Sequence, residues 1–352
     1  MMEVAMCRYC QIIPEKVLIA LSHDQDFPAA VRERLQETMH HDHQVRQFRD
    51  SARQLTIAKR PFRAFSVTVA QAPDIPVYTC NNGMTLPGVQ IVNPGSSTDE
   101  QVKTTFDTTS GVEEFFSSVF ERNSIDGNGM TILSSVHYGK DYNNAFWNGS
   151  QMAYGDGDGE IFTPFCESAD VVGHELTHGI TQYTLGLDYE NQPGGLNESL
   201  SDVFGSMFKQ WTKGQSADEA DWLIGNDILG PTARQKYTCL RDMANPEASH
   251  CMAEQISHFS DYRDGMDPHE SSGIANRAFY LAATRIGGKS WDKTGQIWYD
   301  ALTKNGSNPD MTMAEFAEAT RAGAARLYPG DGSLAETLDT AWSDVGLQSA
   351  SV

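Results

Sequence analysis

"VVGHELTHGI", residues 171–180, places two histidines four positions apart with a glutamate between them, in an otherwise mostly apolar stretch. An α-helix advances about 100° per residue, so His174 and His178 fall one turn apart on one face, where both rings can hold one ion. Glu175 then projects beside that ion's open position. Hydrolytic zinc sites typically take three protein ligands and a water, so a third ligand is expected downstream. Glu198 stands twenty positions after His178 in "LNESLSDVFGSMF", a second amphipathic stretch in which Glu198 and Asp202 are again one turn apart. Glu198 suits the third-ligand role. Asp202 can accept the second ring N–H of a ligating histidine, which fixes its tautomer and raises its basicity; Asn197 is placed with it behind the ligands.

Around this core, "GHELTHGITQYTLGLDYENQPGGLNESLSDVFG", preceded by "YNNAFWNGSQMAYGDGDG", resembles the thermolysin family of zinc metallopeptidases, and the likeness runs from about Leu86 to the C-terminus, including "HESSGIANRAFYLA". The resemblance implies one zinc ion per chain and an α+β fold, with a β-rich lobe and an α-helical lobe meeting at a cleft. The metal-bearing helix would form its floor. It also implies a neutral endopeptidase. In such a site a bound water has its pKa lowered toward neutrality and a nearby carboxylate takes its proton. That is the role expected of Glu175, which would then deliver the proton to the leaving amine.

An oxyanion needs donors aimed at it, and the resemblance assigns them to Tyr189 and His269, with Asp264, five residues before His269, as the carboxylate that orients the imidazole. Peptide substrates would lie along a strand edge formed by "NNAFW", residues 143–147, with Asn144, Ala145 and Trp147 contributing contacts. Arg241 matches the arginine that bonds the substrate carbonyl beyond the cut. Phe162, Phe165, Val171 and Leu240 would line an apolar pocket for a large side chain after the cut, narrowed by Phe165 where a leucine is common. Two other readings stay open: a catalytically silent, zinc-stabilised binding module with the same fold, and a zinc aminopeptidase.

The chain also departs from the family pattern. Many relatives carry a double calcium site; Asp170 and Asp221 are present, but Lys209, Leu223 and Asn226 stand where acids are expected. An ammonium can replace part of an ion's charge but cannot coordinate calcium, so the double site is expected to be absent. "YGDGDGE", residues 154–160, reads as a turn between strands rather than a calcium loop. Residues 1–70 read as a short inhibitory propeptide with a linker, followed by a β-rich catalytic lobe at 71–185 and an α-helical lobe at 186–352. "CQIIPEKVLIAL" is similar to the short propeptide of protealysin-like precursors, although Glu15 follows Pro14 where a second proline is usual. Latency would come from a thiolate of Cys7 or Cys10 on the zinc or from a segment lying in the cleft. His40, His41 and His43 read as a solvated face.

A formal charge of −21 over 352 residues, without a basic stripe, argues against nucleic-acid and membrane-surface partners. Peptides or proteins are the expected substrates, the chain's own propeptide the expected inhibitor, and a monomer the expected state. The six cysteines are scattered, and free thiols are expected, although Cys239 and Cys251 can close a short loop. The N-terminal stretch lacks the cationic region of a classical signal peptide; the family resemblance implies secretion, with a cytoplasmic location as the alternative. Hairpin-type pairing is expected around "DGNG", residues 126–129.

Overall fold

A computed structural model describes residues 11–56 and 72–348. Cys7 and Cys10, and with them the thiolate route to latency, lie outside the described residues. The N-terminal segment forms two helices, α1 (Glu15–His23) and α2 (Ala29–Thr56). The next lobe carries five strands: β1 (Val77–Thr79), β2 (Val89–Gln90), β3 (Ser134–Val136), β4 (Ala145–Trp147) and β5 (Met152–Tyr154). Their order is β2-β1-β3-β5-β4. The central strands β1, β3 and β5 are parallel, and β2 and β4 pair antiparallel at the two edges. Helix α3 (Glu100–Phe120) starts where Asp99 accepts hydrogen bonds from the amides of Gln101 and Val102, satisfying orphan N–H groups of its first turn.

Two long helices join the lobes, α4 (Ala169–Gln182) and α5 (Asn191–Lys213). They approach closely because neither has a side chain at the contact. A Cβ on Gly173 would lie 3.0 Å from Cα of Gly205, and one on Gly205 would lie 2.4 Å from the Asp170 carbonyl oxygen. A short ribbon, β6 (Leu223–Ile224) and β7 (Arg241–Asp242), precedes α6 (Pro268–Ser271), α7 (Gly273–Ile286), α8 (Lys293–Thr303), α9 (Met313–Leu327) and α10 (Gly332–Ser343). Helix α9 opens with a reciprocal Thr312–Glu315 capping box. The architecture is α+β, with a β-containing first lobe and a helical second one. None of the described helices is long and apolar enough to cross a membrane.

Two local expectations fail. "DGNG" is a turn without flanking strands, because the Asp126 carboxylate takes the amides of Asn128 and Met130. Such side-chain acceptors offer the backbone an alternative to a ladder. "YGDGDGE" is a turn leading from β5 toward α4, not between strands, with Asp158 Oδ1 accepting from Glu160 at 2.9 Å and Ile161 at 2.8 Å.

His137 ties β3 to the start of α3. Its backbone is left-handed, with φ 53°. Its Nδ1 donates to Asp156 at 2.9 Å and its Nε2 faces Asp99 at 3.0 Å. The Asp156 hydrogen bond chiefly, with Asp99 adding to it against burial, raises the imidazole pKa from 6.5 to about 9. A raised folded-state pKa contributes stability that is complete below the unfolded value and is lost as pH rises through the folded one. Thermal unfolding should therefore show a stability loss between pH 6.5 and about 9 that is smaller in His137→Gln; parallel profiles for the two proteins would refute it.

Candidate active site

On α4, His174 and His178 are fully buried with rings at 86° to each other. Each ring is oriented from behind. His174 Nδ1 donates to Asp202 Oδ1 at 2.8 Å, and His178 Nδ1 lies 2.8 Å from Asn197 Oδ1 and 3.0 Å from Ser201 Oγ. With the Nδ1 protons so engaged, both Nε2 atoms present lone pairs, and they face each other at 3.0 Å. Glu198, from α5, brings carboxylate oxygens to 3.5 Å from His174 Nε2 and 3.4 Å from His178 Nε2. Its buried Oε2 has no hydrogen-bond partner. Lone pairs and a carboxylate converging in a dry space repel one another unless a cation lies between them, and the ligand types are those of zinc. His174, His178 and Glu198 therefore fit a divalent ion.

Glu175 is also buried on α4, and its Oε2 accepts from the Trp147 backbone N–H at 2.9 Å. Across the cleft, Tyr189 donates its hydroxyl to Glu198, and its oxygen lies 3.4 Å from His269 Nε2. His269, on α6, is buried and uses Nε2 toward the Gln11 carbonyl at 2.9 Å. The carboxylate against its Nδ1 is Asp267, at 2.9 Å. This corrects the expectation for Asp264, which is exposed and accepts from the Tyr262 hydroxyl instead. The reason is local. Asp267 is the N-cap of α6 and Pro268 its first residue, so the Asp267 side chain also accepts the His269 amide and is locked beside that ring. Burial opposes charge on His269, but Glu198 and Asp267 outweigh it and raise its pKa to about 9. An Asp-Pro pair just before the histidine was the sequence signal that points to Asp267.

Residues 11–13 occupy the cleft as an added strand on the free edge of β4. Gln11 bridges Phe146 antiparallel, and Ile12 N donates to Ala145 O at 3.3 Å. Ile13 N donates to Asn144 Oδ1 at 3.0 Å while Asn144 Nδ2 reaches Ile13 O at 3.2 Å. Arg241 Nη1 donates to Ile12 O at 3.1 Å, and its Nε and Nη2 hold Asp202 at 2.8 and 2.7 Å. Asp202 thus links the arginine to His174, and Asn276 Nδ2 adds a fourth bond at 2.9 Å. Ser201 and Asn276 were not among the residues expected from sequence. Ile12 is buried, as are Phe162, Phe165, Val171 and Leu240, and all five belong to the main hydrophobic core.

Helix α2 clamps the same edge. Thr38 accepts Asn143 N at 3.1 Å, and Asp42 accepts from Tyr142 Oη at 2.5 Å and Asn144 Nδ2 at 3.0 Å. His40 and His43 are exposed as expected, but His41 is buried against the Tyr138 hydroxyl at 2.6 Å. The solvated-face reading fails there because the helix packs that side on an aromatic cluster of Tyr138, Tyr142 and Phe146.

Known proteins resemble this chain along most of its length. Residues 65–182 match the thermolysin metallopeptidase catalytic domain, and residues 185–347 match its alpha-helical domain. The chain belongs to the thermolysin family of metallopeptidases. It is 45% identical to an extracellular metalloprotease of Pectobacterium carotovorum subsp. carotovorum over 67% of this chain and 69% of that protein. It is 38% identical to protease PrtS of Photorhabdus sp. (strain Az29) over 77% and 76%. The solved precursor of protealysin, a metalloproteinase from Serratia proteamaculans, superposes with a TM-score of 0.81 at 36% identity, covering 96% of this chain and 99% of that one. As a thermolysin-family member the protein is a metalloendopeptidase, and the family's metal is zinc.

Lys209, which stands where an acid is expected from sequence, is buried. Its Nζ donates to Asp170 Oδ2 at 3.0 Å, Leu223 O at 2.9 Å and Asn226 Oδ1 at 2.6 Å, with Asp221 at 3.7 Å. Burial acts against the charge, yet Asp170 and Asp221 raise the lysine pKa above its ordinary value.

Proposed function

We propose that the protein is the precursor of a zinc endopeptidase whose pro-segment, residues 1–70, inhibits the cleft by holding residues 11–13 in it as a peptide substrate would lie. The observation that carries this reading is the register of residues 11–13. The Gln11 carbonyl oxygen meets His269, the Ile12 N–H and C=O meet Ala145 and Arg241, and Ile13 is bracketed by Asn144. A main-chain ladder on a sheet edge gives affinity, and alternate side-chain pockets give specificity. The Gln11–Ile12 bond stands in the place of the bond to be broken.

Zinc held by His174, His178 and Glu198 would supply Lewis-acid polarisation and a bound water of lowered pKa. Glu175, held by the Trp147 amide, would act as the base, accepting a proton from an attacking water and passing it to the leaving nitrogen. His269 and Tyr189 aim donors at the carbonyl oxygen that becomes negative, and Asp267 fixes the imidazole. Arg241, positioned by Asp202, grips the carbonyl one residue beyond the cut. Ion pairs also tie the pro-segment to the catalytic lobes, among them Lys16 with Glu270 at 2.7 Å and Lys236 with Asp24 at 2.7 Å.

Ile12 marks the residue after the cut, so blocked peptides with isoleucine, leucine or phenylalanine there should be the best substrates of the protein freed of residues 1–70. Phe165→Leu should shift the preference toward the largest side chains by about 10-fold in kcat/KM. Cleavage confined to free N-termini, or none with stoichiometric zinc, would leave the aminopeptidase or the silent binding module instead.

Lys209 supports the absence of the double calcium site. Calorimetry should show no pair of tight calcium sites, and finding one would overturn this. The name of one relative, an extracellular metalloprotease, supports action outside the cell, to be checked by assaying culture medium against cell extract.

A further inference from the structure

We infer that Cys239 and Cys251 form a structural disulfide that anchors the strand bearing Arg241. The two thiols are buried at 0% and 2% exposure, and each is the other's hydrogen-bond partner, with the sulfurs 3.7 Å apart. Their backbones run side by side as an isolated parallel bridge. Thr238 N donates to His250 O at 2.9 Å, and Met252 N donates to Cys239 O at 3.0 Å. Strand neighbours sit about 4.8 Å apart, inside the roughly 4.4–6.8 Å range of Cα separations that disulfides span. Side-chain rotation closes the remaining gap between the sulfurs.

The surroundings give the cross-link a task. Cys239, Ala248 and Cys251 form a small apolar cluster separate from the main core, with Leu223 packed on it. Such a cluster contributes little burial to hold the turn between β7 and Cys251, so a covalent closure adds much of what fixes it. Leu240, next to Cys239, donates to Ile224 O and accepts from Ala253 N, both at 2.9 Å, and Arg241 follows immediately. Tying Cys239 to Cys251 thus clamps both flanks of the backbone that presents the arginine.

His250, adjacent to Cys251, makes a two-thiol, one-imidazole metal set the competing use of the pair. Its ring is half-exposed and faces Asp242 Oδ2 at 3.2 Å, which leaves the sulfurs to each other. Contact with Cys251 and burial push the Cys239 thiol upward, and both sulfurs are buried away from a reagent, so the bond forms during folding, before the sulfurs are covered. Two thiols give up two electrons and two protons to a small-molecule disulfide such as glutathione disulfide. One protein S–S bond forms, one reagent S–S bond breaks, and two thiols are released.

The test refolds the full chain carrying Glu175→Gln, to prevent self-digestion, with zinc in a glutathione redox buffer. The product is unfolded in guanidinium with an alkylating reagent and digested without reductant. Peptides containing Cys239 and Cys251 should be joined to each other, with Cys80 and Cys166 alkylated. Alkylation of both Cys239 and Cys251, or their joining to other cysteines, overturns the proposal, as does a second stoichiometric zinc that protects them. A phosphine reductant should lower Tm of the oxidised chain by roughly 4 °C. Cys251→Ala should show no such reductant-dependent shift. An unchanged Tm in the joined chain would overturn the anchoring role, and the peptide map stands even if the variant does not fold.

Discussion

Glu175→Gln is expected to retain zinc and to lose peptide cleavage by about 10²- to 10⁴-fold, the range for a positioned general base. The ligands His174, His178 and Glu198 are untouched by the change, and the amide oxygen it introduces can still accept the Trp147 N–H that now reaches Glu175 Oε2 at 2.9 Å. The geometry survives, and only the ability to accept and return a proton is removed. Zinc content by atomic absorption should remain one per chain while turnover of a blocked peptide collapses. The wild-type chain should shorten on incubation with zinc, whereas the variant should stay full length. A variant that still cleaves at near wild-type rate would refute Glu175 as the base. One that loses zinc as well would show that it helps to hold the site.

Asp202→Ala should weaken the site from behind. Asp202 is fully buried and takes His174 Nδ1, Arg241 Nε and Nη2, and Asn276 Nδ2 at once. Burial alone would raise its pKa, but Arg241 and His174 hold it well below the carboxylate range. Removing it frees the His174 tautomer, which typically costs about 10- to 100-fold in metal affinity. It also strands the buried Arg241 guanidinium, at a cost of about 3–5 kcal/mol in stability. Competition with a zinc chelator and urea unfolding read the two effects separately. Unchanged zinc affinity with unchanged stability would mean that the bond network is incidental. Asp202→Asn, which keeps the volume and one acceptor, should fall between the two.

The parts of the site legible in the sequence were those set by helical geometry. His174 and His178 share a face because four residues make slightly more than one turn, and Glu198 and Asp202 repeat that spacing on the next helix. The α+β division was legible through the resemblance to the thermolysin family. The parts that were not legible depend on which backbone atoms side chains find at close range. Asp267 rather than Asp264 meets His269 because an N-cap points its carboxylate back into the first turn, an arrangement that counting residues from a related pattern misses. His41 is buried because α2 packs that face on Tyr138 and Tyr142, which lie about a hundred residues away.

The sequence by itself placed His174 and His178 on one face of a helix, and Glu198 and Asp202 on one face of the next, because a step of four residues is about one turn; the packing of α4 against α5 is what brings Glu198 within 3.5 Å of both imidazoles. Only the tertiary structure decided what fills the cleft. An edge strand offers unpaired N–H and C=O groups to any extended peptide, and nothing in the local preferences of "CQIIP" says that it will be the one to take them. That outcome rests on long-range hydrogen bonds from Asn144, Arg241 and His269 to residues 11–13, made possible by the way α2 lays the pro-segment across the lobes.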